Sequence, residues 1–280
     1  LSATSSLSTE YGVQVKVAPV ILDPSTVASS TIAAIQILER EDIDITASGM
    51  INVEASKNVF LGSEANVRIG QVTAGTTTVG DSIRIKGGSG IVNAATGTLN
   101  VRGSDLILEA AQAAIGSSAA PIKIDLIGSG TVTARAGTDV YMNETAGDMN
   151  IGTLFAKAGD IVLNAEAGSI VDGLNHDYTN IMGRSVVLTA AGGIGEAGTT
   201  PDFLDVDIVS GTLTATAAND IFISEVSGNL NVRTVKSGTD DVSLKADLAI
   251  LDAVDLVSPT DPSSGDTNYD PASHPNAAHL

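Results

Sequence analysis

The sequence predicts an all-β fold, a right-handed parallel β-helix of stacked coils, on three observations. A unit of 81 residues occurs in three copies, the strands within it are short with one apolar face, and aromatic residues make up only 3% of 280. The repeat comes first, because self-similarity at a fixed period is the mark of a solenoid. Ser48-Gly49-Met50-Ile51-Asn52-Val53-Glu54-Ala55 returns as Ser129-Gly130-Thr131-Val132-Thr133-Ala134-Arg135-Ala136. It returns again as Ser210-Gly211-Thr212-Leu213-Thr214-Ala215-Thr216-Ala217, with an offset of 81 each time. Downstream, Asn58-Val59-Phe60-Leu61 matches Asp139-Val140-Tyr141-Met142 and Asp220-Ile221-Phe222-Ile223. Asn66-Val67-Arg68-Ile69 matches Asp148-Met149-Asn150-Ile151 and Asn229-Leu230-Asn231-Val232, with one residue fewer in the first copy.

The strands follow from alternation. Ile51, Val53 and Ala55 point one way with Asn52 and Glu54 opposite, and Leu213, Ala215 and Ala217 repeat the pattern. Period-two patterning with one apolar face specifies strand, not helix. Ala-Gly, Ser-Gly and Ala-Asn-Asp punctuation supplies tight corners. In the second copy, strands begin near Thr131, Asp139, Met149, Asp160, Ser169, Ser185, Gly193 and Leu204. Taken in pairs they predict four coils of roughly 20 residues per unit. Residues 42–253 form the predicted helix; about ten coils from residue 48 onward give a rod of roughly 50 Å at the strand spacing. Val53, Ala134 and Ala215 are expected to line one interior column.

The scarcity of rings fits a core of Val, Ile, Leu and Ala too narrow for them. The competing architectures are an antiparallel sandwich and two tandem β-domains; a sandwich would carry hairpin Asn-Gly turns and a larger aromatic core. Residues 1–41 match the repeat poorly and read as an N-terminal cap or divergent coil. Residues 254–280 hold Pro259, Pro262, Pro271 and Pro275, half of the chain's eight prolines, and read as a linker or extended arm.

Charge narrows the function classes. The formal net charge of −19 opposes nucleic-acid phosphates and anionic membrane surfaces. The absence of cysteine removes disulfides and thiolate metal sites. No run approaches the ~20 apolar residues of a membrane helix.

The blocks Ala158-Gly159-Asp160-Ile161-Val162-Leu163-Asn164-Ala165 and Ser185-Val186-Val187-Leu188-Thr189-Ala190-Ala191-Gly192-Gly193-Ile194-Gly195 recur in style through the chain. Together with Gly211 to Ile221 they make residues 42–253 resemble the filamentous-haemagglutinin type of secreted repeat protein and the giant repetitive bacterial surface proteins related to it. The resemblance implies a secreted or cell-surface rod used in adhesion, surface layers or fibres. Its expected partners are copies of itself or flanking repeats, with host or cell-surface glycans or proteins beyond them.

Candidate sites are few. Phe60, Tyr141 and Phe222 share one repeat position opposite the inward residues, a stripe for a lateral partner unless loops fold over the rings. Asp105, Asp139, Asp160, Asp220 and Asp241 precede strands; they read as corner residues accepting backbone N–H groups in preference to a calcium ladder. Asp266, Asn268 and Asp270 resemble the start of a calcium loop, although Pro271 and Ala277 depart from that loop's pattern. The stretch Gly173 to Gly183, with His176, Tyr178 and Met182, reads as an insertion bulging from one coil. For catalysis, Glu144 and Glu225 are the recurring carboxylates, the basis of an alternative reading as a polysaccharide-active enzyme or carbohydrate-binding module. Their recurrence argues against it, since an active site is usually a single asymmetric constellation. No cofactor is expected other than calcium at Asp266, Asn268 and Asp270, and the chain reads as structural, not enzymatic.

Overall fold

Strands of mostly five residues alternate between two sheets, so that each turn of the chain contributes one rung to each. The computed structural model describes residues 48–76 and 80–253, with short stretches at 2–3, 14–16, 39–41 and 43–45. A twelve-stranded sheet and an eleven-stranded sheet stack into a β-solenoid of about nine turns, with about 23 residues per turn. Neighbouring strands within both sheets run parallel. The antiparallel pair Gln14–Lys16 with Glu39–Glu41 stands outside them. Nine rungs at ~4.8 Å give a rod of about 43 Å, somewhat shorter than the sequence predicts.

The difference lies in how 81 residues divide. At about 23 residues per turn the unit is three and a half turns, not four. The strand Ile51–Ala55 therefore belongs to the twelve-stranded sheet, its equivalent Val132–Ala136 to the eleven-stranded sheet, and Leu213–Ala217 to the twelve-stranded sheet again. Ile181–Gly183 adds a ninth segment to the eight strand starts of the second unit, and the nine make seven half-turns because two pairs of segments share a rung. Ile170–Asp172 and Ile181–Gly183 both lie on the eight-residue strand Met149–Ala156. Ile194 likewise bridges Ile170 and Ile221, beside Leu204–Ile208 in the same sheet. The first unit does the same on the opposite sheet, where Ile91–Asn93 and Val101–Gly103 lie on Val67–Ala74.

Inside, register partners form aliphatic columns. Leu61, Ile85, Leu108, Ala134, Leu154, Ile181 and Val206 stack through one sheet. Val53, Val72, Val101 and Ile124 stack through the other. All of these are buried, most at 0% exposure. Each fully buried Val, Leu or Ile contributes about 1.5–3 kcal/mol. Val53, Ala134 and Ala215 are all interior but do not share a column. Ala134 faces from the opposite sheet because of the half turn, and Ala215 stacks on Leu188 and Leu163, one column over.

Candidate functional site

The corners carry the first repeated device. The residue before a strand has a short polar side chain that accepts the backbone N–H of the equivalent corner on the next coil. Asp139 Oδ1 accepts from Asp160 N at 2.8 Å, Asp160 Oδ1 from Ser185 N at 3.2 Å, and Ser185 Oγ from Thr212 N at 3.2 Å. Asp105 and Asp220 accept in the same way from Thr131 N and Asp241 N. Asn58, Asn66 and Asp148 do so at other corners. Asp160 is also held by Arg184 through two bonds of 2.8 and 2.7 Å, and this guanidinium keeps its carboxyl below the usual range. These aspartates tie coil to coil, as the corner reading expects. Among the described residues no group of three acidic or histidine side chains is arranged to hold a metal. Asp266, Asn268 and Asp270 lie outside the described residues.

Glu144 and Glu225 are inside the solenoid, at 0% and 1% exposure. Glu144 continues the column of Ile124, and Glu225 that of Val206. Each carboxylate accepts the N–H at the end of the strand below: Leu126 N at 3.1 Å for Glu144, and Ile208 N at 3.1 and 3.2 Å for Glu225. Each also accepts an N–H two residues on, from Ala146 at 3.1 Å and Ser227 at 3.4 Å. The first unit has Ser63 at this position, whose hydroxyl accepts the equivalent Ala65 N at 3.2 Å. Burial pushes both glutamate pKa values up to about 7 against the pull of these hydrogen bonds. The two residues stand three and a half turns apart, about 17 Å along the axis. A glycosidase pair needs about 5–9.5 Å and access to substrate, so these carboxylates do not form one.

The stretch from Gly173 projects as a loop between the two segments of a split strand. Asp172 anchors it, accepting Leu174 N at 2.8 Å, His176 N at 3.0 Å and Asn180 Nδ2 at 2.8 Å. The Asn180 amide passes the connection on to Asp205 N at 3.0 Å. Asn93 and Asn100 are the same device in the first unit, with Asn100 Nδ2 donating to Asn93 Oδ1 at 3.0 Å. The insertion is thus a feature of the repeat. Tyr178 is 75% exposed at its tip and meets His176 edge-on, the ring centroids 5.1 Å apart. The next loop closes through an Asp202–Glu196 backbone pair. It turns at Gly195 with φ +71°, where a Cβ would lie 2.6 Å from the Phe222 carbonyl oxygen. Gly116 makes the equivalent turn under the Tyr141 carbonyl with φ +70°. No side chain fits either place.

Phe60, Tyr141 and Phe222 do not form one outward stripe. The half turn puts Phe60 and Phe222 on one sheet and Tyr141 on the other. Phe60 is buried, and Phe222 packs edge-on against Phe203 at 5.6 Å with Lys245 seated over the Phe203 ring. Neither ring belongs to the interior aliphatic core. Tyr141 is half-buried; burial, then the carboxylates of Asp139 and Asp160, push its hydroxyl pKa up.

One feature of the outer surface escaped the sequence reading. Lys86, Arg135 and Lys157 line a groove of about 200 Å³ on the eleven-stranded sheet. Its signal was present in the repeat alignment, since Arg135 stands where the other copies have Glu54 and Thr216, and Lys157 where they have Gly75 and Gly238.

No protein-family model, curated protein or solved structure matches the chain. A parallel β-solenoid is what the geometry establishes.

Proposed function

We propose that this chain is a stiff segment of an exported, filamentous-haemagglutinin-like surface protein, acting mechanically and without catalysis, and that copies stack end to end. The terminal coil carries this reading. Val242, Ile250 and Leu251 are 45%, 37% and 39% exposed, while Ile221 and Leu230, one rung inward, are 0% exposed. The aliphatic columns thus reach the last described rung in the open. Among the described residues, only Leu230 to Val232 of the strand Leu230–Ser237 carry a further rung, Ile250–Asp252, whereas both halves of the equivalent strand Met149–Ala156 are covered. An uncovered rung of this kind is a template for another coil. The 254–280 tail, with four prolines that lack the N–H a ladder needs, is a poor continuation. A second copy offers matching strands, and a head-to-tail contact that does not close on itself yields a filament. An extracellular or cell-surface setting follows from the family resemblance.

Electron microscopy and sedimentation of the purified chain test this. Filaments lengthening with concentration are expected, and Val242→Asp, at a half-exposed position, should shorten them. Monodisperse monomers at all concentrations would overturn the proposal. So would a chain that polymerises only after residues 256–280 are removed, since the tail would then be the occupant.

A further inference from the structure

We propose that the groove on the outer face of the eleven-stranded sheet binds a carboxylate-bearing polysaccharide. Lys86, Glu109, Arg135 and Phe155 occupy register-matched positions on four successive rungs, with Lys157 two residues beyond Phe155. The cations thus spread over about 14 Å of the rod axis. Glu109 is the one acid among the lining residues, and it is already engaged by Arg84, whose Nη2 donates to Oε2 at 2.9 Å. Lys86 and Lys157 make no ion pair among the described residues, so the groove presents positive charge on a chain of net charge −19. At physiological ionic strength the Debye length is about 8 Å, so a ligand seated in the groove responds mainly to these nearby cations. The cluster is asymmetric: none of the other units carries the Arg135–Lys157 combination.

The chemistry of the groove selects the ligand. Arg135 lies with its guanidinium 5.7 Å from the centre of the half-buried Phe155 ring. A guanidinium stacked on a ring keeps its N–H edge free for bidentate pairing with a planar carboxylate. The two lysines add point charges on either side. The floor is alanine and glycine, which leaves room for a bulky ring. An acidic peptide would be expected to add as a strand, but the strands beneath the groove are central and already paired on both sides. A sugar polymer recognised through its carboxylates needs no free edge. This inference goes beyond the stacking proposal and does not require it, since a chain that stays monomeric presents the same groove.

The test is calorimetric titration of the full chain with polygalacturonate oligomers, dextran sulfate, neutral dextran and poly-aspartate, at two salt concentrations. Polygalacturonate is expected to bind, more weakly at high salt, and neutral dextran not to bind. Arg135→Glu and Lys157→Gly, which install residues that the repeat itself uses at those positions, are each expected to weaken binding about tenfold with an unchanged Tm. Failure of polygalacturonate to bind, or affinity in both variants unchanged from that of the unsubstituted chain, would sink the proposal. Tighter binding of dextran sulfate or of poly-aspartate would also overturn it, reassigning the groove to sulfate or to acidic peptides.

Discussion

A carboxylic acid sealed inside an aliphatic column is costly when ionised, and the fold places Glu144 and Glu225 there. Asp125 beside the first and Asp207 beside the second add like charge. Both glutamates titrate near pH 7 in the fold and near 4.5 when unfolded, so the unfolded chain gives up these protons first. The sign follows: their contribution is fully present below about pH 4.5 and is lost as pH rises through 7. A rise from 4.5 to about 7 corresponds to about 3 kcal/mol per glutamate. Burial raises Asp202 and Asp205 in the same sense, while Asp160, lowered by Arg184, acts only at more acidic pH. The protein is therefore expected to melt at a higher temperature at pH 5 than at pH 8. The Glu144→Gln, Glu225→Gln double variant should gain stability at pH 8 and lose most of this dependence. Thermal unfolding at the two pH values decides it, and an equal pH response in both proteins would remove the glutamates from the explanation.

At the scale of the element, the coil is closed by corners, and the side chain at each corner works on the next coil up. Deleting such an acceptor strands a backbone donor at a cost of about 1 kcal/mol. Asp139→Ala is expected to cost that much in chemical denaturation, and Asp139→Asn almost nothing, because an amide oxygen accepts as Asn58 and Asn66 already do. Equal loss in Asp139→Asn and Asp139→Ala would mean that the carboxylate charge, as for a bound cation, matters more than the ladder. Strands and corners were legible in the sequence because alternation and Asp/Asn punctuation are local. The burial of Glu144 was legible too, since it falls in phase with Val140 and Met142. Rung sharing was not. Ile170 and Ile194 carry the same local pattern as true strand starts, and only the tertiary pairing reveals that each completes its rung after a loop. Cover over the rings is an alternative the sequence allows, but the partner that covers Phe222, Phe203 nineteen residues away, comes only from the tertiary packing.

At the scale of the whole molecule, the half-integral repeat means that equivalent units present their loops from opposite sheets and regain the same face only after two units. The interface between the first and second units is chemically the interface between the second and third: Leu106 to Ala110 pair with Val132 to Ala136 as Val186 to Ala190 pair with Leu213 to Ala217. In a solenoid, stability is approximately a sum of unit and nearest-neighbour terms, so removing one complete unit rejoins two compatible surfaces. Deletion of residues 132–212 connects Thr131 to Leu213, where the native chain has Thr131-Val132 and Thr212-Leu213. Each downstream strand would then move to the opposite sheet without meeting an unfamiliar neighbour. The expected product is a folded, all-β rod about 17 Å shorter, three and a half rungs, with a lower unfolding free energy. Circular dichroism reports the strand content and small-angle scattering the length. A deletion protein that is unfolded, or folded but not shortened by that amount, would show that the 81-residue unit is a sequence repeat without being an independent structural module.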